Sequence, residues 1–509
     1  MNHPHTSHES RTASPAGRLN PHGPGGSRGL GAFGPPPQRR LAAMAVLLAV
    51  NFMILLDVSI VNVALPDLQS RLGANDRQLE WVVEAYVLAY ALCLLPFGRL
   101  GDIVGRRLLF VAGIVGFGLT SLACGLAPDI GTLILARAAQ GVSSAMMSPQ
   151  VMAIAATLFA PHERARTFSL FGLVAGISGV AGPLASGLLL HANFFQLGWR
   201  QIFLINVPLV LGILGATFAF VPRLPPHPGL RNDVVGIGLS AVAIFALVYP
   251  LVEGRAYGWP AWTFGFIVAA LALLAAFIAW EYRQSKRGAS ALLPVSLLSH
   301  RDFVVGVVAL LVFFSALQGF FLVYAVFLQQ GLGFTPLQAG LSTAPFPVGL
   351  LVATLLGARV PNLRPKIVTG ASLLAAVFAT LGLIVYQAGD ALVSPLHFLL
   401  PLFIGGAGTG LVISSLFQAV MRTVPLKDAG AGSGAAQVFQ QVGAAVGIAL
   451  VSALFYTQVA TATARPDLGF RQGFLHAIVY EVAACLLVAA LAFVMKLKAP
   501  LHGPSAETR

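Results

Sequence analysis

The chain has 509 residues, of which 57% are hydrophobic and only 10% charged. A soluble globular domain carries roughly 25% charged residues, so a chain this apolar could not cover its own surface and needs a bilayer as solvent. The net charge of +13 does not point to nucleic acid, because membrane proteins gather Lys and Arg on cytoplasmic loops whatever their task.

Residues 1–40 are rich in Gly, Pro, Ser, His and Arg and read as a disordered cytoplasmic tail. Its histidines, His3, His5, His8 and His22, have no metal-ligand spacing, and no metal or cofactor is expected. The first apolar run, 41–66, is not a signal peptide: it is too long for an h-region, contains Asp57 and lacks a small-residue cleavage site. Further stretches of spanning length follow at 80–98, 108–127, 131–159, 166–190, 200–221, 234–253, 261–281, 302–328, 336–358, 366–387, 396–421, 431–457 and 473–496. At ~1.5 Å per residue each can cross a ~30 Å hydrocarbon core. The expected fold is therefore all-α and integral to the membrane, with 14 transmembrane helices and a tail at 497–509.

Charge distribution tests the count. With the N-terminus inside, 24 of the 31 basic residues fall on the inner side and six on the outer, and Arg137 lies within a span. A miscounted span would scramble this bias from that point onward, so both termini are expected in the cytoplasm. All five tryptophans, Trp81, Trp199, Trp259, Trp262 and Trp280, sit at span ends or in short loops, where an amphipathic ring belongs. The three cysteines lie within apolar runs and form no CxxC pair.

No segment is long enough for a catalytic domain in water, and an enzyme is not expected. A phosphate-cradling GxxxxGK[ST] loop is absent, since none of the five Lys follows a Gly, and so is HExxH. An ion gradient is then the energy source for any pumping.

An ionisable side chain at the bilayer centre costs ~2.5–3.5 kcal/mol on insertion scales and is a functional candidate by default. Asp57, Glu84, Arg137 and Glu481 qualify. Counted from the outer span ends, Asp57 lies about 13 Å deep, Glu481 about 12 Å, Arg137 about 10 Å and Glu84 about 6 Å. Asp57 and Arg137 could pair if spans 1 and 4 pack together. Asp57 and Glu84 are candidates for taking up protons in a cavity open to the outside; the alternatives are a structural partner for Arg137 and an interfacial carboxylate.

The segments LLDVSIVNVALPDL around Asp57 and WVVEAYVLAYALCLLPFGRLGDIVGRR after it resemble the major facilitator superfamily, in particular its 14-span drug/proton antiporter branch. Gly98 to Arg107 is similar to that family's loop between spans 2 and 3. Its glycines, Gly98, Gly101 and Gly105, suit a tight turn between close helices, Asp102 can cap helix N–H groups or meet a cation, and Arg106 and Arg107 hold the loop in the cytoplasm. Ile103 stands where the family usually has a basic residue. The resemblance makes this loop a conformational latch. LARAAQGVSSA resembles the span-4 motif whose Arg, here Arg137, is implicated in proton coupling. SGVAGPLASG resembles the antiporter motif of span 5, matching at Gly182, Pro183 and Gly187 and departing at Ser178 and Ser186; small residues and a Pro give close packing and a flexing point. In the second half, GARVPNLRPK at 357–366 looks like a decayed copy of the 98–107 loop.

The resemblance, which covers about residues 45–496, implies two six-helix halves, 41–221 and 302–496, rocking about a midplane site. The two helices inserted between them, within 222–301, carry no charge in their interior and receive no transport role. Phe314, Gln318, Phe321 and Tyr324 of span 9, with Phe313 and Phe320, are candidates for lining the site. The implied function is proton-coupled efflux of lipophilic, cationic drugs by alternating access in the cell membrane, with a small molecule, protons and the bilayer as partners and no nucleic acid. An exporter of an endogenous metabolite and a proton-coupled importer share the fold, and a periplasmic adaptor with an outer-membrane channel could complete an exporter.

Overall fold

A computed structural model describes residues 37–496 apart from 160–162, 224–232, 255–256, 288–291, 294, 358–359, 361, 389–393, 426–427 and 462–465. The expected tail at 497–509 and most of that at 1–40 lie outside the described residues. The chain is already helical at Pro37, the first described residue and four residues before the expected boundary.

The described chain is helical throughout: α1 (Pro37–Leu72), α2 (Asp76–Val104), α3 (Arg106–Leu126), α4 (Ile130–Leu158), α5 (Arg164–Ala192), α6 (Gln201–Leu204), α7 (Asn206–Phe220), α8 (Val234–Glu253), α9 (Ala261–Lys286), α10 (Val295–Ser299), α11 (Arg301–Val326), α12 (Pro336–Thr343), α13 (Pro345–Gly357), α14 (Leu363–Ala388), α15 (Leu396–Met421), α16 (Ala429–Thr461) and α17 (Pro466–Val494). Among the described residues 12 helices are long and apolar enough to cross a membrane, with α6–α7 and α12–α13 each acting as one, and 13 if α5, bent by 40° between Gly179 and Leu184, is counted. This is short of the expected 14. The helix left out is α4, long enough at 29 residues, whose Arg137, Gln140, Ser143, Ser144, Ser148 and Gln150 are turned inward and lower its hydropathy.

One packing pattern occurs twice. In the first part α1 packs on α5 and α7, α2 on α4, α3 on α4 and α7; in the second, α11 packs on α16 and α17, α13 on α15, α14 on α15 and α17. The two sets meet along α2–α16 and α5–α13, and the α8–α9 hairpin leans on α2 and α16. Large apolar side chains such as Leu188, Leu211, Val268 and Leu400 point outward, as they do on helices solvated by lipid.

Candidate functional site

At the centre of the first set lies a buried polar network. Asp57 of α1 and Arg137 of α4 are both 0% exposed, and Arg137 Nη1 donates to Asp57 Oδ2 at 2.6 Å. Asp57 Oδ1 also accepts from Gln140 Nε2 at 3.0 Å and from Asn206 Nδ2 at 2.9 Å. Arg137 also donates from Nε to the Val82 carbonyl of α2 at 3.0 Å and from Nη1 to Gln140 Oε1 at 2.7 Å. Gln140 Nε2 donates to Ser121 Oγ of α3 at 2.8 Å, and the Tyr86 ring lies 4.3 Å below the guanidinium. Five helices are tied to one ion pair whose lone pairs and protons are well used, the condition under which a buried pair is tolerable. Sequence reasoning brought Asp57 and Arg137 to similar depths but missed Asn206 and Ser121; the signal was a lone amide in the apolar run after Arg200.

Beside this network is a cavity of about 1000 Å³ between the two helix sets. Glu84, Phe314, Gln318 and Phe321 line it, the last three spaced so that one face of α11 presents them all. Tyr324 does not line it. It is 1% exposed and packs against Phe320 at 5.1 Å and Phe398 at 5.7 Å, because the aromatics of α11 cover both sides of the helix and Phe313, Phe320 and Tyr324 fall on the core side. Asp57 is likewise absent from the lining, contrary to the expectation that it shares an open cavity with Glu84. Its ion pair with Arg137 holds it one layer back, and Tyr86 stands between, lining the cavity, covering Arg137 and donating to Ser144 Oγ at 2.8 Å.

The cavity reaches the Glu80–Trp81 end of α2 but stops before its other end. Tyr90 of α2 and Ser148 of α4 both donate to Gln437 Oε1 of α16, forming a floor. Below it Gly98 and Gly430 touch: a Cβ on Gly98 would stand 2.5 Å from the Gly430 carbonyl oxygen, so no larger residue fits. Arg99 then pairs with Asp428 at 3.0 Å, both buried. Asp102 does both things expected of it, accepting from Arg106 Nε at 3.0 Å and from the N–H groups of Gly430 and Ala431 at 3.3 Å each, where the start of α16 favours a negative charge. Gly105 takes φ 103° at the α2–α3 turn, a conformation open to glycine. Arg106 is buried rather than solvent-facing and also donates to Thr157 Oγ1 at 2.8 Å, while Arg107 Nη2 reaches the Phe218 carbonyl at 3.1 Å.

The α5 motif divides. A methyl group on Gly182 would overlap the Ser59 hydroxyl of α1, whereas nothing lies within 4 Å of the corresponding point on Gly187. The side chain of Pro183 lies outside the described residues. In the 357–366 segment Lys366 Nζ donates to the Gly357 carbonyl at 3.3 Å. Glu481 of α17 is 0% exposed, and neither carboxyl oxygen has a hydrogen-bond partner among the described residues.

The family model described as Major Facilitator Superfamily matches residues 47–235 and again 227–448. The chain belongs to the major facilitator superfamily. It is 37% identical over 465 residues to the "Probable actinorhodin transporter" of Streptomyces coelicolor, covering 90% of this chain and 80% of that one. It is 34% identical over 485 residues to the "Puromycin resistance protein pur8" of Streptomyces alboniger, covering 91% and 92%, and 32% identical over 426 residues to the "Multidrug resistance protein Stp" of Mycobacterium tuberculosis, covering 82% and 76%. The human organic anion transporter MFSD10 shares the fold, with a TM-score of 0.63 at 16% identity over 90% of this chain and 100% of that one. The protein is thus a multi-pass membrane transporter of this superfamily.

Proposed function

We propose that this superfamily member exports lipophilic, cationic drugs or toxic compounds in exchange for protons. The observation that carries the reading is the cavity lining. Among the described residues it includes Glu80 and Glu84, the rings of Trp81, Tyr86, Tyr90, Phe314, Phe321 and Phe417, the amides of Gln318, Gln437, Gln440 and Gln441, and no Lys, Arg or His. Apolar walls with a few polar groups suit a small lipophilic ligand, and the two carboxylates in the lining supply negative charge toward a cation. The names of relatives, among them a multidrug resistance protein and the "Tetracenomycin C resistance and export protein" of Streptomyces glaucescens, support export.

In this reading α4 and α5 are membrane spans alongside the apolar twelve, giving 14, with both termini cytoplasmic. The halves are 41–221 and 302–496, and the repeated packing pattern supports that division. The latch at Gly98, Asp102, Gly105, Arg106 and Arg107 closes the cytoplasmic end, and the cavity faces out of the cell membrane. Protons enter at Glu84 and pass to Asp57 behind Tyr86. A protonated Asp57 loses its charge attraction for Arg137, loosening α1 from α4, and the bend of α5 at Gly182 and Pro183 absorbs the rocking of one half on the other.

The energetics fit. Moving one charge against 100 mV costs ~2.3 kcal/mol. Exchanging one cation for one proton cancels this term and leaves ~1.4 kcal/mol per pH unit. A proton on each of Glu84 and Asp57 would draw on the voltage as well. Export of a metabolite made by the cell is the second reading, favoured by relatives named as an actinorhodin transporter and a "Cephamycin export protein".

Everted vesicles containing the protein test the proposal. Uncoupler-sensitive, gradient-dependent accumulation of a cationic dye is expected. Indifference to every cationic dye, with accumulation of a neutral or anionic metabolite instead, would replace the first reading with the second.

A further inference from the structure

The α8–α9 hairpin was expected to have no part in transport. Yet α8 supplies Val248, Tyr249 and Leu251 to the cavity wall, at the same end as Glu80, Trp81 and Glu84. The hairpin is fastened there. Arg77, at the start of α2, pairs with Glu253 of α8 at 3.0 Å, and its guanidinium lies 4.9 Å above the Tyr257 ring in the turn between α8 and α9. This sets the Tyr249 ring 6.3 Å from that of Trp81, tilted by 36°. Behind it Tyr249 is held by three more rings, Phe245 at 5.2 Å, Trp262 at 6.0 Å and Phe266 at 6.1 Å. A ring packed this way loses little freedom when a ligand stacks on it, so the wall is preorganised.

We propose that the inserted hairpin completes the substrate site, with Tyr249 of α8 and Trp81 of α2 forming an aromatic wall beside Glu80 and Glu84 that selects planar aromatic cations. The chemistry follows from the three groups together. A flat, delocalised cation presents a π-face to the two rings and its positive charge to the ring faces and the carboxylates. A non-planar cation gains the carboxylates but not the stacking. The inference rests on the proposed efflux of lipophilic cations, naming the ligand class and a specificity residue from outside the two halves.

Equilibrium binding of ethidium to the purified full-length protein tests it, with tetrapentylammonium as the non-planar comparison and Tyr249→Leu and Tyr249→Phe as variants. Tyr249→Leu is expected to raise the ethidium Kd by about threefold to thirtyfold, the range for losing one ring–cation contact, and the tetrapentylammonium Kd by less than ethidium's. Tyr249→Phe keeps the ring and is expected to bind both as wild type does. An ethidium Kd unchanged in Tyr249→Leu, or equal weakening of both cations, would overturn the proposal. Gradient-driven export of ethidium by the wild type is a separate readout: weakened binding without export removes the efflux reading and leaves the wall, while export with unchanged binding does the reverse.

Discussion

The two parts of the molecule treat a buried carboxyl in opposite ways. Asp57 is surrounded by Arg137, Gln140 and Asn206, each within 3.0 Å. Glu481, equally buried, has neither a hydrogen-bond partner nor an ion-pair partner among the described residues. On the helices packed against α17 the charged side chains stand only near the ends: Arg301 and Asp302 on α11, Arg364 and Lys366 on α14, none on α16. Depth in the bilayer, the one quantity sequence offers for both residues, does not separate them; the company of a helix such as α4, dense in polar groups, does. A carboxyl with a built environment belongs to a machine that uses charge, whereas one without carries a cost that nothing on its surroundings offsets.

Breaking the built environment gives the largest effect. Arg137→Met leaves Asp57 buried without its cation, and removing one partner of such a pair costs about 3–5 kcal/mol. A collapse in thermal stability in detergent is expected, and a variant as stable as wild type would mean that the pair is dispensable. The reverse experiment sharpens the contrast. Glu481→Leu discards a buried polar group that makes no hydrogen bond, so stability is expected to rise by about 1–3 kcal/mol, read as a higher Tm. A fall as large as that of Arg137→Met would show that the two carboxyls are alike after all. The smallest effect belongs to the α5 motif: Gly187→Ala enters open space on a helix and is expected to be neutral or to stabilise by up to about 1 kcal/mol, while Gly182→Ala clashes with Ser59 and costs more. Equal effects at the two positions would remove the distinction drawn between them.

Much of this was legible in the sequence. Apolar run lengths gave the helices and their order, because they follow from the bilayer rather than from tertiary contacts. Depth made Asp57 and Arg137 compatible partners, and the packing of α1 against α4 completes the pair. What was hidden required knowing which way helices face. Asn206 and Ser121 are single polar residues in apolar stretches, and only packing shows that they converge on Asp57. Tyr324 and Phe321 are three residues apart on α11, and the positions of α15 and α17, whose Phe398 and Phe474 rings cover Tyr324, decide that one is core and the other cavity. The hairpin looked inert because its interior has no charge; its contribution is an aromatic ring, a type that composition cannot distinguish from packing. Hydropathy alone does not count α4, which coincides with the expected span 131–159, because the polar residues turned inward along it lower its hydropathy.

The central claim is that proton movement through Glu84 and Asp57 drives the exchange. Ethidium-coupled proton flux in proteoliposomes, measured with wild type, Glu84→Gln and Asp57→Asn, tests it most directly. The account predicts proton release on ethidium loading in the wild type, a reduced proton count in Glu84→Gln, and no coupled flux in Asp57→Asn even where ethidium still binds. Wild-type proton flux in both variants would contradict it.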